Sequence, residues 1–210
     1  MIVNWPERLW VNSPVRRYVQ QQESIFFSKA GRLAPGGKCL EIGCGCGVGA
    51  RLIGRYFAPA EIHALDIDPE MLRAARKKRA KWNGLPLQLL AGDAQELPYP
   101  DRCFDAVFNF GIIHHLEDWR RGVSEIARVL KEGGVFFFEE IYPPLYANPL
   151  FRRILDHPRE DRFHGPDFRA SLAAAGLRLL DGYKESRFAI LGVAVSEARS
   201  QRTEDRKRGE

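Results

Sequence analysis

A chain of 210 residues that is 45% hydrophobic and 28% charged has the size and composition of one globular domain able to bury a full core. No apolar run approaches the ~20 residues of a membrane span, and the start Met1-Ile2-Val3-Asn4-Trp5-Pro6-Glu7 lacks the basic and apolar stretches of a secretion signal, so a cytoplasmic location is expected. The net charge of +5 is mild, and none of Cys39, Cys44, Cys46 and Cys103 forms a Cys-x-x-Cys pair, which argues against a disulfide framework or a zinc site.

In chain order, Ser13-Pro14 supplies a capping hydroxyl and a proline at the first helical position. A helix follows to about Leu33, and residues 1–36 are read as a helical lid. Pro35-Gly36-Gly37 breaks it, and residues 37–196 make one α/β domain. Lys38 to Ile42 is a short buried strand, followed by a glycine loop and a helix from Val48 to Tyr56. Glu61 to Leu65 is a second strand ending at Asp66. Asp68-Pro69 caps a helix whose Arg73, Arg76, Lys77, Lys78, Arg79 and Lys81 form a basic face, and Asn83-Gly84 stops it. That face is either solvated or a contact for an anionic partner.

Strands are then expected at Leu85 to Leu90, Phe104 to Asn109 and Val135 to Phe138, with a helix at Trp119 to Leu130 closed by Lys131-Glu132-Gly133-Gly134. Apolar strands alternating with helices predict a parallel sheet covered on both faces. Beyond Pro143 come a charge-dense stretch from Asp156 to His164 and a helix from Gly165-Pro166 to Gly176. Leu177 to Lys184 and Phe188 to Ser196 are joined by only Glu185-Ser186-Arg187, which requires an antiparallel hairpin. The polar residues 197–210 read as a disordered tail.

In an open parallel sheet, ligands sit outside the carboxyl ends of the strands. Those ends are Gly43, Asp66, Asp93, Asn109 and Glu139-Glu140. In Gly43-x-Gly45-x-Gly47-x-Gly49, glycine lets the backbone turn tightly and approach a ligand. The stretch also reads as Gly45-x-Gly47-x-x-Ala50, so a dinucleotide-binding oxidoreductase is an alternative. Asp66, at the end of the second strand, suits a pair of ribose hydroxyls in either case.

Leu90-Ala91-Gly92-Asp93-Ala94 and the run Phe104-Asp105-Ala106-Val107-Phe108-Asn109-Phe110-Gly111-Ile112-Ile113-His114-His115-Leu116 separate the two readings. With Ala127-Arg128-Val129-Leu130-Lys131-Glu132-Gly133-Gly134 they resemble the class I S-adenosylmethionine-dependent methyltransferases. The likeness is greatest to the small-molecule group that includes the ubiquinone/menaquinone-type C-methyltransferases. It covers about Gly37 to Tyr142 and implies a Rossmann-like seven-stranded fold, mostly parallel, with helices on both faces and the closing antiparallel hairpin.

The resemblance implies S-adenosylmethionine as cofactor and a small-molecule methyl acceptor, and Phe26, Phe27, Phe110, Tyr142 and Tyr146 hint that the acceptor is apolar. Glu41, Gly43, Cys44, Gly45 and Gly47 would surround its methionine part and ribose, with Cys46 where threonine is frequent. Asp66 would hold the ribose hydroxyls, Ile67 would lie against the adenine, and Asp93 and Ala94 would meet the adenine edge. Asn109 and Phe110 would line the methionine end. His115, Glu139 and Tyr142 are the candidate catalytic residues, with Glu140 also at the rim. Glu139 and Glu140 point to opposite faces if the strand continues through both. Trp10, Arg16, Arg17 and Tyr18 either dock the lid helix or serve the site. No metal is expected, because adjacent histidines diverge and no carboxylate stands at ligand spacing. Further alternatives are an RNA methyltransferase, favoured only by the basic helix, and a binding module without catalysis; a nucleic-acid partner is not the expectation.

Overall fold

The computed structural model describes residues 4–80, 82, 84–146 and 161–197. The chain opens with α1 (Trp5–Val11) and α2 (Pro14–Ala30). Then follow β1 (Lys38–Ile42), α3 (Val48–Phe57), β2 (Glu61–Asp66), α4 (Pro69–Arg79), β3 (Leu87–Ala91) and β4 (Phe104–Phe110). A single 3-10 turn at Ile113–His115 leads to α5 (Trp119–Val129), β5 (Leu130–Ile141) and α6 (Pro143–Tyr146). The fold closes with α7 (Gly165–Ala175), β6 (Leu177–Leu179), β7 (Lys184–Glu185) and β8 (Ala189–Ser196).

One sheet runs β3-β2-β1-β4-β5-β8-β6, with β7 also on β8. β1 to β5 are parallel, and β8 is antiparallel to β5, β6 and β7. The alternation of apolar strands and helices does predict this sheet. Its two faces carry separate cores. Trp119, Val123 and Ile126 of α5 and Phe168 and Leu172 of α7 pack on one face. Phe27 of α2, Ala50 and Ile53 of α3 and Leu72 of α4 pack on the other. Burying side chains of this size stabilises by roughly 1.5–3 kcal/mol each, which is why central strands apolar on both sides are tolerated.

The caps act locally as their residue types dictate. Ser13 Oγ accepts from Arg16 N at 3.1 Å to start α2, and Asp68 Oδ1 accepts from Glu70 N at 2.8 Å to start α4. Both helices end earlier than expected, α2 at Ala30 and α4 at Arg79. β5 is longer than its apolar run. Leu130 already pairs with Phe104, Lys131 to Gly134 bulge outward, and pairing resumes at Ala106↔Val135. β8 then holds β5 in register as far as Ile141. The expected closing hairpin is present, but its first strand is broken in two around Gly182 (φ 87°), giving eight strands among the described residues rather than seven.

The basic residues Arg73, Arg76, Lys77 and Arg79 are exposed on α4. No helix among the described residues is long and apolar enough to cross a membrane. Residues 156–160 of the charge-dense stretch, Lys81, Asn83 and the tail 198–210 lie outside the described residues.

Candidate active site

The strand order reverses between β1 and β4, so their carboxyl ends splay apart and leave a crevice there. A cavity of about 750 Å³ occupies it, within the size range of small-molecule sites. Of the residues expected there, Gly43, Cys44, Gly45, Asp66, Ile67, Asp93, Ala94, Phe110, His115 and Glu139 line it. Ile67 is exposed to it although it is a large apolar side chain.

The glycine loop folds on itself. Gly43, Gly45 and Gly47 have φ of 64°, 52° and 82°, a region that costs other residues roughly 1–2 kcal/mol. Cys44 N–H donates to Leu65 O at 2.9 Å, Gly45 N–H to Asp66 Oδ2 at 2.7 Å, and Gly47 N–H to Cys44 O at 2.8 Å. A Cβ at Gly45 would meet nothing within 4 Å, whereas one at Gly43 would run into Ile112. Gly47 is not a wall of the cavity; Trp82 packs against it, 2.9 Å from where a Cβ would stand.

Glu41 lies beneath the loop rather than in the cavity, 1% exposed. Ala50 N–H of the first turn of α3 donates to it, and its Oε2 has no hydrogen-bond partner. Burial, with Asp66 nearby, pushes its carboxyl well above the usual range. Asp66 is itself raised by burial. Its Oδ1 accepts from Asp68 N at 2.8 Å, so both oxygens brace backbone while each keeps a further lone pair. Asp93 is braced by Gln95, whose backbone N–H donates to Oδ1 at 2.8 Å.

The second half of the rim is organised by Glu140, which is fully buried. Its carboxylate accepts from Asn109 Nδ2 at 2.6 Å, Ile113 N at 2.7 Å and His114 N at 3.2 Å. His114 Nδ1 lies 2.7 Å from Glu140 Oε2. The backbone and amide partners are all donors, so Glu140 acts as acceptor, which makes Nδ1 the protonated nitrogen of His114. Asn109 is thereby turned away from the cavity; its Oδ1 accepts from Ile112 N at 3.0 Å and shapes the turn after β4. Glu139 and Glu140 do point to opposite faces. The cavity receives Glu139, together with His114 and His115.

Tyr142, a candidate catalytic residue of the sequence, is not among the residues lining the cavity. Its ring is 2% exposed in the core, and its hydroxyl donates to Glu185 Oε1 at 2.9 Å. Burial and that carboxylate raise its pKa further, so it is a packing and bracing residue. Among the described residues, no group of three or more His, Cys, Asp or Glu is placed to hold a metal ion. Burial raises the Cys44 thiol well above its ordinary range and Cys39 to about 12, leaving both as protonated core groups. Cys46 receives Lys78 Nζ at 2.7 Å.

The N-terminal helices close the cavity from outside. Arg8 of α1 reaches Asp68 Oδ2 at 2.6 Å and also pairs with Glu70. Arg16 of α2 donates from Nη2 to Phe110 O at 2.9 Å and to Glu139 Oε2 at 3.3 Å, and from Nη1 to Glu23 Oε1 at 2.6 Å. Arg16 and His114 are among the polar wall residues that reading by strand ends passes over. Seven-residue spacing places Arg16 and Glu23 two turns apart on one helix face, a signal for the pair but not for its target. Nothing local marks His114 over His115.

Residues 40–138 match the family model described as a methyltransferase domain. Over 120 residues, 57% of this chain, the sequence is 38% identical to a fatty-acid O-methyltransferase of Mycolicibacterium smegmatis. It is 35% identical over 121 residues to a phthiotriol/phenolphthiotriol dimycocerosates methyltransferase of Mycobacterium tuberculosis. Residues 40–138 of the chain are thus similar to a methyltransferase domain. The aligned stretches cover 42% and 44% of those two relatives, so the chain spans less than half the length of each. The YcgJ protein of Bacillus subtilis shares the fold of this chain, with a TM-score of 0.71 at 22% identity over 86% of this chain and 99% of that one.

Proposed function

We propose that this chain is a class I methyltransferase that binds S-adenosylmethionine in the crevice between β1 and β4 and transfers its methyl group to an apolar small molecule. One observation carries the choice of cofactor over a nicotinamide dinucleotide. A pyrophosphate would be held by backbone N–H groups of the glycine loop and by the start of the following helix. Here Cys44, Gly45 and Gly47 N–H are already bonded within the fold, and the carboxyl of Glu41 takes the N–H of Ala50 at the start of α3. Asp66 and Asp93 add acidic groups to the rim. A ligand bearing ammonium and sulfonium charges suits this side of the cavity, and a dianionic pyrophosphate does not.

When bound, the cofactor supplies a methyl group on an already activated sulfonium. The chain's own part is positioning and water exclusion. Asp66 and Asp93 offer acceptor lone pairs for hydroxyl and amino hydrogens, Gly45 leaves room for close approach, and Ile67 offers an apolar face. The buried Oε2 of Glu41 lacks a donor, which fits a ligand seated on the loop above it. At the other end, Ile112, Ile141, Leu145 and Tyr146 make an apolar wall. That wall agrees with relatives named for fatty-acid and phthiotriol substrates. His114, His115 and Glu139 stand there to hold or accept a proton.

Isothermal titration with S-adenosylmethionine, its demethylated product and NADH tests the proposal. Micromolar or tighter binding of the first two is expected, with no heat from NADH. Binding of NADH alone would refute it.

A further inference from the structure

The acceptor end of the cavity has an unusual charge balance. Arg16 enters it from α2, its side chain 11% exposed, and two carboxylates flank it. Glu23 lies at 2.6 Å on one side and Glu139 at 3.3 Å on the other, with side-chain exposures of 6% and 14%. One cation therefore faces two buried acids. Glu23 Oε2 has no hydrogen-bond partner, and an ionised oxygen left so would be costly. A single proton on the acid pair removes that cost and leaves the three groups neutral together. Burial, with the like-charged Glu23, raises Glu139 to about 8, and burial raises Glu23, in keeping with a proton held there near neutral pH. His114, also at this end, pairs with Glu140. Val19, Ile112, Ile141 and Leu145 supply the apolar surface around them.

We propose that this site selects an uncharged methyl acceptor with an apolar body and rejects carboxylates, because Arg16 is already neutralised by Glu23 and Glu139. The inference rests on the methyltransferase reading for the identity of the ligand as an acceptor. It assigns to Arg16, Glu23 and Glu139 a role in specificity: they set the charge of the site. A carboxylate entering the cavity would give up its hydration, find no unmatched cation among the described residues, and come to lie beside Glu139. A hydroxyl or other neutral head has no such penalty.

The test uses the full chain at pH 7.5, above the ordinary imidazole range. Decanol and decanoate, matched in length, are compared by equilibrium dialysis with and without the demethylated cofactor. Decanol is expected to bind at least tenfold more tightly than decanoate. In Glu23→Gln/Glu139→Gln, Arg16 loses both partners, and the ratio should move at least tenfold toward decanoate. If circular dichroism shows that the double variant is unfolded, Glu139→Gln alone is read, and a shift in the same direction is expected. Equal or tighter binding of decanoate to the wild type overturns the proposal, as does failure of both probes to bind or an unchanged ratio in a folded variant. Absence of binding by the demethylated cofactor would sink the cofactor reading alone, since the decanol-to-decanoate ratio is measured without it as well.

Discussion

Replacing Glu139 by glutamine keeps the shape of the side chain and removes its titration. In the folded protein Glu139 is raised to about 8, mainly by burial and secondarily by Glu23, from an ordinary value of 4.5. An acid with a raised pKa binds its proton more tightly when folded, so it contributes stability that is fully present at low pH. That contribution is lost as pH climbs from 4.5 through 8. The difference of 3.5 pH units corresponds to about 5 kcal/mol, of which about 4 kcal/mol falls between pH 5 and 8.5. Glu23 ionises more easily once its neighbour is neutral, which trims the difference, so at least about 2 kcal/mol should survive. Urea unfolding of wild type and variant across that window gives the measurement. Other buried acids, Glu41 and Asp66 among them, are common to both proteins and cancel. The wild type should lose stability relative to Glu139→Gln as pH rises. A difference constant to within about 0.5 kcal/mol from pH 5 to 8.5 would refute the buried, shared-proton account of the cluster.

Three further outcomes are expected. Asp66→Ala removes the acceptor of Gly45 and Asp68 N–H and should weaken binding of the demethylated cofactor by about 1–3 kcal/mol in calorimetry. Gly45→Ala places a methyl group where no atom of the protein lies within 4 Å. It should cost about 1–2 kcal/mol of stability from its positive φ, with a clearly larger loss of cofactor affinity because the methyl group occupies the ligand's approach. Tyr142→Phe should leave methyl transfer within twofold of wild type while lowering unfolding free energy by about 1 kcal/mol, since only the bond to Glu185 is lost; a large drop in transfer rate would return Tyr142 to the site.

Much of this protein is local and therefore legible in its sequence. Helix caps at Ser13 and Asp68, positive-φ glycines at 43, 45 and 47, and apolar runs at β1, β4 and β5 each follow from the chemistry of a few neighbouring residues. The rule that ligands gather at strand carboxyl ends was enough to bring Gly43, Asp66 and Asp93 to one cavity. Strand alternation was enough to separate Glu139 from Glu140. Tertiary packing decided the rest, because those outcomes depend on partners distant in the chain. Glu140 captures Asn109 and His114 across 31 and 26 residues, which removes one from the cavity and orients the other. Glu185, 43 residues on, draws the hydroxyl of Tyr142 away. Arg16 reaches Glu139 across 123 residues, and no spacing rule in the sequence links the two. The glycine loop, the residues that brace it and the strand ends were written in the sequence; the charge at the acceptor end exists only once α2 has packed over β5.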